Sequence, residues 1–228
     1  MGTMSEAIEV RDIEFRYRTG DFLLRIPELL IESGSTVAMI GPSGTGKTTL
    51  LNLLAGCCPP DAGSVHINGT DIVGIPERAR REFRIRNIGM IFQEFELLDH
   101  LSVLDNILLP YRITPCLSYN GSIRGRAALL AKEVGLEDKL KRNVRQLSQG
   151  ERQRVALCRS LVTEPTVLLC DEPTGNLDPA NSTRVMDMMF KYAEKNGASL
   201  IAVTHDHENA KRFGRTVDIT RIAGGQEG

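Results

Sequence analysis

The sequence predicts an α/β fold in which a mostly parallel sheet is joined by an antiparallel β layer and a helical subdomain. The main observation is a set of short apolar runs that lack polar alternation, which is the pattern of parallel strands buried on both faces. Helical patterns lie between these runs, and strands that alternate with helices form parallel sheets. The runs are Ser35–Ile40, Ile88–Gln93, Thr166–Glu172 and Ala198–His205.

The remaining elements follow from their own patterns. Two runs near the start, Ala7–Tyr17 and Asp21–Glu32, alternate partially between apolar and polar residues. This indicates antiparallel strands with one solvated face. From about Leu97 to Leu147 the pattern is mostly helical. We therefore expect one domain over residues 1–228, with a helical insertion at approximately 95–162.

The composition narrows the classes of function. A net charge of −1 over 228 residues gives no general basis for binding nucleic acid, and we expect no such partner. The basic stretch Arg78–Arg86 is interpreted as a solvated helix face, with a phosphate-backbone contact as the alternative. Five cysteines without a C-x-x-C pair suit neither a disulfide framework nor a zinc site, which predicts a reducing, cytoplasmic compartment. Cys158 and Cys170 lie in apolar runs and are interpreted as core residues. No apolar run approaches the length of about 18 residues that a membrane span needs.

The segment Gly41–Thr48 reads GPSGTGKT and fits the phosphate-loop pattern G-x-x-x-x-G-K-[ST], with a strand before it and a helix after it. Glycines allow the backbone to wrap around phosphate oxygens with its N–H groups pointing inward. Lys47 is predicted to place its charge on the β- and γ-phosphates, and the Thr48 hydroxyl to bind Mg²⁺. The alternative is a glycine-rich turn that only precedes a helix. The motif predicts a nucleoside-triphosphate site without identifying the base.

Polar side chains end three of the buried runs. Asp171 and Glu172 stand at the carboxyl end of one run, where ligands of open α/β sheets bind. We predict that Asp171 holds Mg²⁺ through water and that Glu172 is the general base that polarises the attacking water. The alternative is an acidic strand end that faces solvent. His205 is predicted to contact the γ-phosphate, with a structural role as its alternative, and Gln93 to reach Mg²⁺ or the attacking water. Thr48, Gln93 and Asp171 are thus the candidate metal ligands.

Residues 147–153, LSQGERQ, have the pattern of a helix start. Ser148 is placed to cap the backbone N–H groups of the first turn, and Glu151, three residues later, to complete a capping box. The buried face of the helix is predicted to consist of Val155, Leu157, Leu161 and Val162. On these residues alone, the segment is either a well-capped helix or half of a nucleotide site that another molecule completes.

Taken in order, these motifs resemble those of the ATP-binding-cassette (ABC) ATPases. The resemblance covers almost the whole chain and rests on the phosphate loop, Gln93, LSQGERQ, VLLCDE at 167–172, GNLD at 175–178 and His205. LSQGE is similar to the family signature LSGGQ, with Gln149 at its middle glycine and Glu151 at its glutamine. The resemblance implies the ABC ATPase fold, built on a P-loop NTPase core, with ATP and Mg²⁺ as ligands.

The resemblance also implies a head-to-tail dimer of two ATPase subunits, for which a homodimer is expected. In such a dimer each signature faces the ATP held by the partner's phosphate loop. The implied signature residues are Leu147, Ser148, Gln149, Gly150 and Glu151. The implied coupling segment across the dimer interface is Asn176, Leu177 and Asp178. Asp178 followed by Pro179 is also an ordinary start of a helix.

The contacts with ATP carry over in the same way. In the family an aromatic side chain upstream of the phosphate loop stacks on adenine; Tyr17 matches this position, and Phe15 is the rival. The implied ATP-binding residues are Tyr17, Gly41, Pro42, Ser43, Gly44, Thr45, Gly46, Lys47, Thr48 and Thr49.

The chain also resembles one particular branch of the ABC ATPases. The motifs and the stretch after Gln93 resemble most closely the branch that serves lipoprotein release, macrolide export and cell division. Residues 94–110 lie where an integral membrane subunit binds in such proteins, which implies a position on the cytoplasmic face of the inner membrane. The apolar residues of this stretch are alternatively simple core. Two other functions stay open: a soluble ABC ATPase that acts on nucleic acid or ribosomes, and a non-hydrolysing module gated by ATP.

Overall fold

The structure is a computed structural model that describes residues 5–175 and 177–223. Nine strands lie in this part of the chain: β1 Glu6–Arg16, β2 Leu23–Glu32, β3 Thr36–Ile40, β4 Ala62–Ile67, β5 Thr70–Asp71, β6 Ile88–Ile91, β7 Val167–Asp171, β8 Ser199–Val203 and β9 Arg215–Asp218. The α-helices of the same part are α1 Lys47–Leu54, α2 Glu77–Asn87, α3 Val103–Ile107, α4 Leu109–Arg112, α5 Gly121–Glu133, α6 Gln149–Leu161, α7 Pro179–Asn196, α8 His207–Ala210 and α9 Ile219–Ile222. Two single 3₁₀ turns occupy Glu137–Lys139 and Val144–Gln146.

The central sheet is parallel and has the strand order β6-β7-β8-β3-β9. Four of its five strands, β6, β7, β8 and β3, are the four apolar runs, and β8 is buried at every residue. The parallel sheet with helices between its strands confirms the predicted fold class. The edge strand β9 escapes the sequence pattern because it has four residues, of which only Val217 is buried.

The second sheet is antiparallel and has the order β2-β1-β4-β5. Its alternation is only partial because β1 contains a bulge at Asp12, where φ is +50° and the register with β4 shifts. The bulge changes which residues face the core, so that Val10 before it and Ile13 after it are both buried. Glycine is required opposite the bulge, since a Cβ on Gly63 would lie 2.4 Å from the Asp12 carbonyl oxygen.

Apolar side chains form three clusters. The first joins the antiparallel sheet to α1 and to one face of the parallel sheet, and includes Leu50. The second covers the other face of the parallel sheet beneath α6 and α7, and includes Met189. The third lies among the helical elements between β6 and β7, and includes Val144. Helix α6 belongs to two of them, because its neighbouring residues Leu157 and Cys158 face the second and the third cluster, respectively.

Three smaller predictions also meet the structure. The basic stretch Arg78–Arg86 lies on α2, which has no buried residue, although Arg84 turns inward and donates to the carbonyl oxygen of Gly56 at 2.9 Å. Cys158 and Cys170 are fully buried core residues, as predicted, and all five cysteines are free thiols. Among the helices of the described residues, none is long and apolar enough to cross a bilayer.

Candidate functional site

The phosphate loop connects β3 to α1 at the edge where the parallel strands end. Gly44 and Gly46 have φ values of +83° and +90°, a region that side chains disfavour. Gly46 also lies so close to Phe22 and β2 that a Cβ there would be 2.9 Å from the Phe22 ring and 3.1 Å from Leu24 Cδ1. Gly46 caps α1, and its carbonyl oxygen accepts from Leu50 N–H at 2.8 Å. The loop therefore presents the N-terminus of a helix, which carries the positive end of its dipole.

Lys47 places its ammonium within the loop. Its Nζ donates to the carbonyl oxygens of Gly41 at 2.8 Å and Pro42 at 2.7 Å. The Thr45 hydroxyl donates to the same Pro42 oxygen at 2.9 Å. These bonds hold the cation beside the backbone that the sequence assigns to phosphate binding.

Glu172 directly follows β7 in a strained conformation, with φ at +45°. Its N–H donates to the Val203 carbonyl oxygen of β8 at 3.0 Å, and its side chain is only 13% exposed. The Glu172 Oε1 atom lies 2.8 Å from Nδ1 of His205, whose side chain is 70% exposed. An ionised carboxylate only accepts hydrogen bonds, so His205 donates from Nδ1 and leaves Nε2 for another partner.

Asp171 is the last residue of β7 and is half-buried. Burial raises the pKa of its carboxyl, the Thr48 hydroxyl lowers it, the Glu172 charge raises it, and the Lys47 ammonium lowers it. Burial makes the largest contribution, so a cation at this position gains a carboxylate that water solvates poorly.

A single cleft of about 480 Å³ brings most of the predicted ATP and metal residues together. These lining residues are Tyr17, Ser43, Gly44, Gly46, Lys47, Thr48, Thr49, Gln93, Asp171 and Glu172. Thr48, Gln93 and Asp171 offer hydroxyl, amide and carboxylate oxygens, the donors that suit Mg²⁺. The set fits an ion that shares its coordination with phosphate oxygens.

The aromatic wall of the cleft distinguishes the two candidates for adenine stacking. Tyr17 is 47% exposed, and its hydroxyl lies 2.9 Å from Thr49 Oγ1. Phe15 is 7% exposed and packs edge-on against Tyr17 with ring centroids 4.9 Å apart. This geometry favours Tyr17. Phe22 was not predicted to belong to the site. Its ring lies 5.6 Å from that of Tyr17 and lines the same cleft. The only signal in the sequence is an aromatic residue at the start of a predicted strand.

The predicted capping box at the start of α6 is confirmed. Ser148 N–H donates to Glu151 Oε2 at 2.8 Å, and Glu151 N–H donates to Ser148 Oγ at 3.3 Å. Lys139 pairs with the same carboxylate. Leu147 is buried, whereas Ser148 and Gln149 are exposed. Among the described residues, none of 147–151 lines the phosphate-loop cleft of the same chain.

The sequence pattern of the ABC transporter family matches residues 24–175. The chain belongs to this family. It is an ATP-binding ATPase of the ABC type, as its motifs predict. Its relatives include the lipoprotein-releasing system ATP-binding protein LolD of Geobacter metallireducens, 38% identical over 223 residues that cover 95% of this chain and 96% of that protein. The macrolide export ATP-binding/permease protein MacB of Syntrophobacter fumaroxidans is 39% identical over 94% of this chain, which spans only 30% of MacB.

Solved structures agree with the sequence relatives. The dimeric ABC cassette MJ0796 bound to ADP and Pi aligns with 92% of this chain and 93% of its own, with a TM-score of 0.82 and 29% identity. The predicted resemblance to the lipoprotein-release and macrolide-export branch is therefore confirmed, as is the predicted ABC ATPase fold.

The segment predicted to couple the two subunits, residues 176–178, lies only partly within the described residues. Asn176, the first of its predicted residues, lies outside the described residues. Leu177 is half-buried against the second cluster. Asp178 caps α7, with its Oδ1 accepting from the N–H groups of Ala180 and Asn181 at 3.1 Å each, and Pro179 is the first helical residue.

Proposed function

We propose that this chain is the ATP-hydrolysing subunit of a membrane complex and works as a head-to-tail homodimer. The observation that carries the proposal is the division of the site within one chain. The phosphate loop, Asp171 and Glu172 share one cleft, whereas the capped helix start at Ser148 lies outside it. A second copy with twofold symmetry brings its own Ser148 to that cleft. The MJ0796 cassette, whose structure is dimeric, supports the assembly of two copies.

The mechanism follows from the positions of the side chains. Lys47 and the loop N–H groups bind the β- and γ-phosphates, and Tyr17 stacks on the base. Thr48, Gln93 and Asp171 hold Mg²⁺, which when bound neutralises charge that develops on the phosphates. Glu172 accepts the proton of the attacking water, and His205 fixes the orientation of that carboxylate through Nδ1. His205 Nε2 remains free to donate to the γ-phosphate.

An apolar groove on the surface supports the proposal that a membrane subunit binds this chain. It measures about 280 Å³ and lies between β6 and α4. Its apolar lining residues include Ile85, Met90, Phe92, Leu109, Pro110 and Ile113. Ile113 is 66% exposed and extends the apolar surface of the groove. We infer that an integral membrane subunit binds here and along residues 94–110, which places the ATPase on the cytoplasmic face of the inner membrane.

The same segment links this groove to the ATP cleft. Gln93 lines the cleft, and the residues that follow it are fixed by polar side chains. Arg159 donates to the carbonyl oxygen of Phe95 at 2.7 Å, and Asn106 Oδ1 accepts from Leu98 N–H at 2.8 Å. Movement at Gln93 is thereby passed to the surface that we assign to the membrane subunit. The LolD relatives favour a complex of the lipoprotein-releasing type, and they give no support to a soluble ATPase acting on nucleic acid or ribosomes.

Size-exclusion chromatography with light scattering tests the proposal. The Glu172→Gln variant loses the general base, a loss of about 10²- to 10⁴-fold in hydrolysis. With ATP and Mg²⁺ it is expected to form a stable dimer, whereas without them it stays monomeric. Adding Ser148→Arg to this variant is expected to abolish the dimer by placing a bulky side chain at the interface. Unchanged hydrolysis by Glu172→Gln, or a dimer that survives Ser148→Arg, contradicts the proposal.

A further inference from the structure

Gln153 makes a buried contact that the mechanism above does not use. It lies on α6, is 1% exposed, and its Nε2 donates to the carbonyl oxygen of Pro173 at 2.6 Å. Pro173 directly follows Glu172. The other amide atom, Oε1, is buried and has no hydrogen-bond partner among the described residues. An amide that leaves its acceptor unsatisfied costs free energy of folding, so packing alone does not account for a glutamine here.

A second set of contacts joins α6 to the start of α7. Arg154, the next residue of α6, donates to Asn181 Oδ1 at 2.6 Å. Asn181 in turn donates through Nδ2 to Asp178 Oδ2 at 2.5 Å. The helices approach so closely that a Cβ on Gly150 would lie 2.8 Å from Asn181 Nδ2. Helix α6 is therefore bonded directly to Pro173 and, through Asn181, to Asp178.

Glu172, directly before Pro173, has a strained left-handed conformation. Strained backbone persists only where surrounding contacts enforce it. Glu172 N–H is held by Val203 at 3.0 Å, and its carbonyl oxygen accepts from Gly175 N–H at 3.1 Å. The carbonyl oxygen of Pro173, the residue after Glu172, accepts a hydrogen bond from Gln153 of α6. The position of the carboxylate thus depends on where α6 lies.

We propose that Gln153 is a positioning residue that ties the carboxylate of Glu172 to the helix bearing Ser148. Resting on the proposed function, this means that a chain whose Ser148 engages the partner's ATP also aligns the general base of its own site. Arg154 and Asn181 hold Asp178, at the start of α7, in the same arrangement. Gln153 touches neither ATP nor the attacking water, and acts through the backbone at Pro173.

Steady-state hydrolysis by the full chain tests the inference with two matched variants. Gln153→Leu removes the donor at nearly constant volume, and we expect kcat to fall about tenfold or more while KM changes less than twofold, the scale expected when a supporting group is lost. Val155→Ala, a buried truncation on the same helix, lowers the melting temperature comparably but leaves kcat within twofold. Equal kcat losses in both variants, or none in Gln153→Leu, overturn the proposal.

A third variant separates positioning from stability and remains decisive if Gln153→Leu does not fold. In Gln153→Glu only the protonated carboxyl can donate to Pro173, and burial favours that form. The ratio of its kcat to that of the wild type is therefore expected to rise as the pH is lowered. A ratio that stays about tenfold or more below one at every pH overturns the inference. The roles of Glu172 and Ser148 are judged separately, by the Glu172→Gln dimer, so that failure of one proposal is not mistaken for failure of the other.

Discussion

His205 and Glu172 illustrate how two side chains that follow neighbouring strands come together at the proposed catalytic site. The 2.8 Å contact between Nδ1 and Oε1 forms because β7 and β8 pair in parallel and both chains leave the sheet at the same edge. A carboxylate held by one directional bond has a fixed orientation toward the γ-phosphate, whereas a free one rotates. Orientation is worth a large factor in rate, because displacement by about 1 Å costs up to about 100-fold.

We therefore expect His205→Ala to lower kcat by up to about 100-fold and to weaken ATP binding by a smaller factor, since the Nε2 bond to the γ-phosphate is lost as well. Steady-state hydrolysis and ATP titration measure the two quantities. His207→Ala is the matched control, since His207 is exposed on the adjacent helix. A loss of ATP affinity as large as the loss of kcat would show that His205 acts only through its contact with ATP and does not orient Glu172.

Lys47 is the second residue whose contacts predict a measurable effect. Its ammonium is held by two carbonyl oxygens of the loop, at 2.8 and 2.7 Å, so it is already positioned for the phosphates. Lys47→Met removes contacts with charged groups that are worth about 1.5–3 kcal/mol each, and we expect ATP to bind at least about 100-fold more weakly. ATP should then no longer raise the melting temperature. Lys191→Met, at an exposed position of α7, is expected to leave the ATP-induced shift unchanged.

At the scale of elements, the sequence predicted what local chemistry determines. The capping box needs only Ser148 and Glu151 at the right spacing, and both of its bonds form. Helix α7 begins at Pro179, as the pair Asp178-Pro179 predicts, because Asp178 caps it. It ends at Asn196, where Gly197 at φ +62° follows. The bulge at Asp12 has no local signature, because it is imposed by pairing with β4.

The site divides along the same line. Residues that act as one continuous motif, such as Gly41–Thr48, were recognised from the sequence, and the structure places most of them in one cleft. Residues that meet only through tertiary packing were missed. The amide of Gln153 reaches Pro173 across 20 positions of the chain, and the Phe22 ring lies close to Gly46, which is remote from it in the sequence. Neither contact has a spacing that a sequence pattern can reveal.

The cap of α6 leads to a prediction about pH. The Lys139 ammonium first, and then the Ser148 N–H, hold the pKa of Glu151 below its ordinary value of 4.5, against the raising effect of burial. A carboxyl with a lowered pKa in the folded state stabilises the fold above its unfolded pKa, and that stability is lost as the pH falls through the folded value. Glu151→Gln keeps an acceptor for the capping box but loses the ion pair.

We expect Glu151→Gln to melt at a lower temperature than the wild type at pH 7, and the difference to shrink as the pH falls below about 4.5. Thermal unfolding at several pH values measures this, and Glu194→Gln, at an exposed position of α7, provides the control. A difference that stays constant from pH 7 to pH 3 would mean that the charge on Glu151 contributes nothing to stability.

At the scale of the whole molecule, α6 decides whether the helical part and the sheet unfold together. Leu157 packs with the sheet and Cys158 with the other helices, so the helix belongs to both cores. Opening the helical part alone would pull this helix from the sheet and expose the second cluster. Separate unfolding is therefore costly, and a single cooperative transition is expected.

Two buried thiols report on the two cores independently. Cys158 lies in the helical cluster and Cys170 in the sheet cluster, and burial raises the pKa of both thiols, which keeps them unreactive. In increasing urea, with a thiol reagent and mass spectrometry to locate the label, we expect both to react with the same midpoint. Cys57, which is exposed, should react without urea and shows that the reagent is active. Labelling of Cys158 at a lower urea concentration than Cys170 would mean that the helices open while the sheet stays folded, and that α6 does not bind the two parts into one unit.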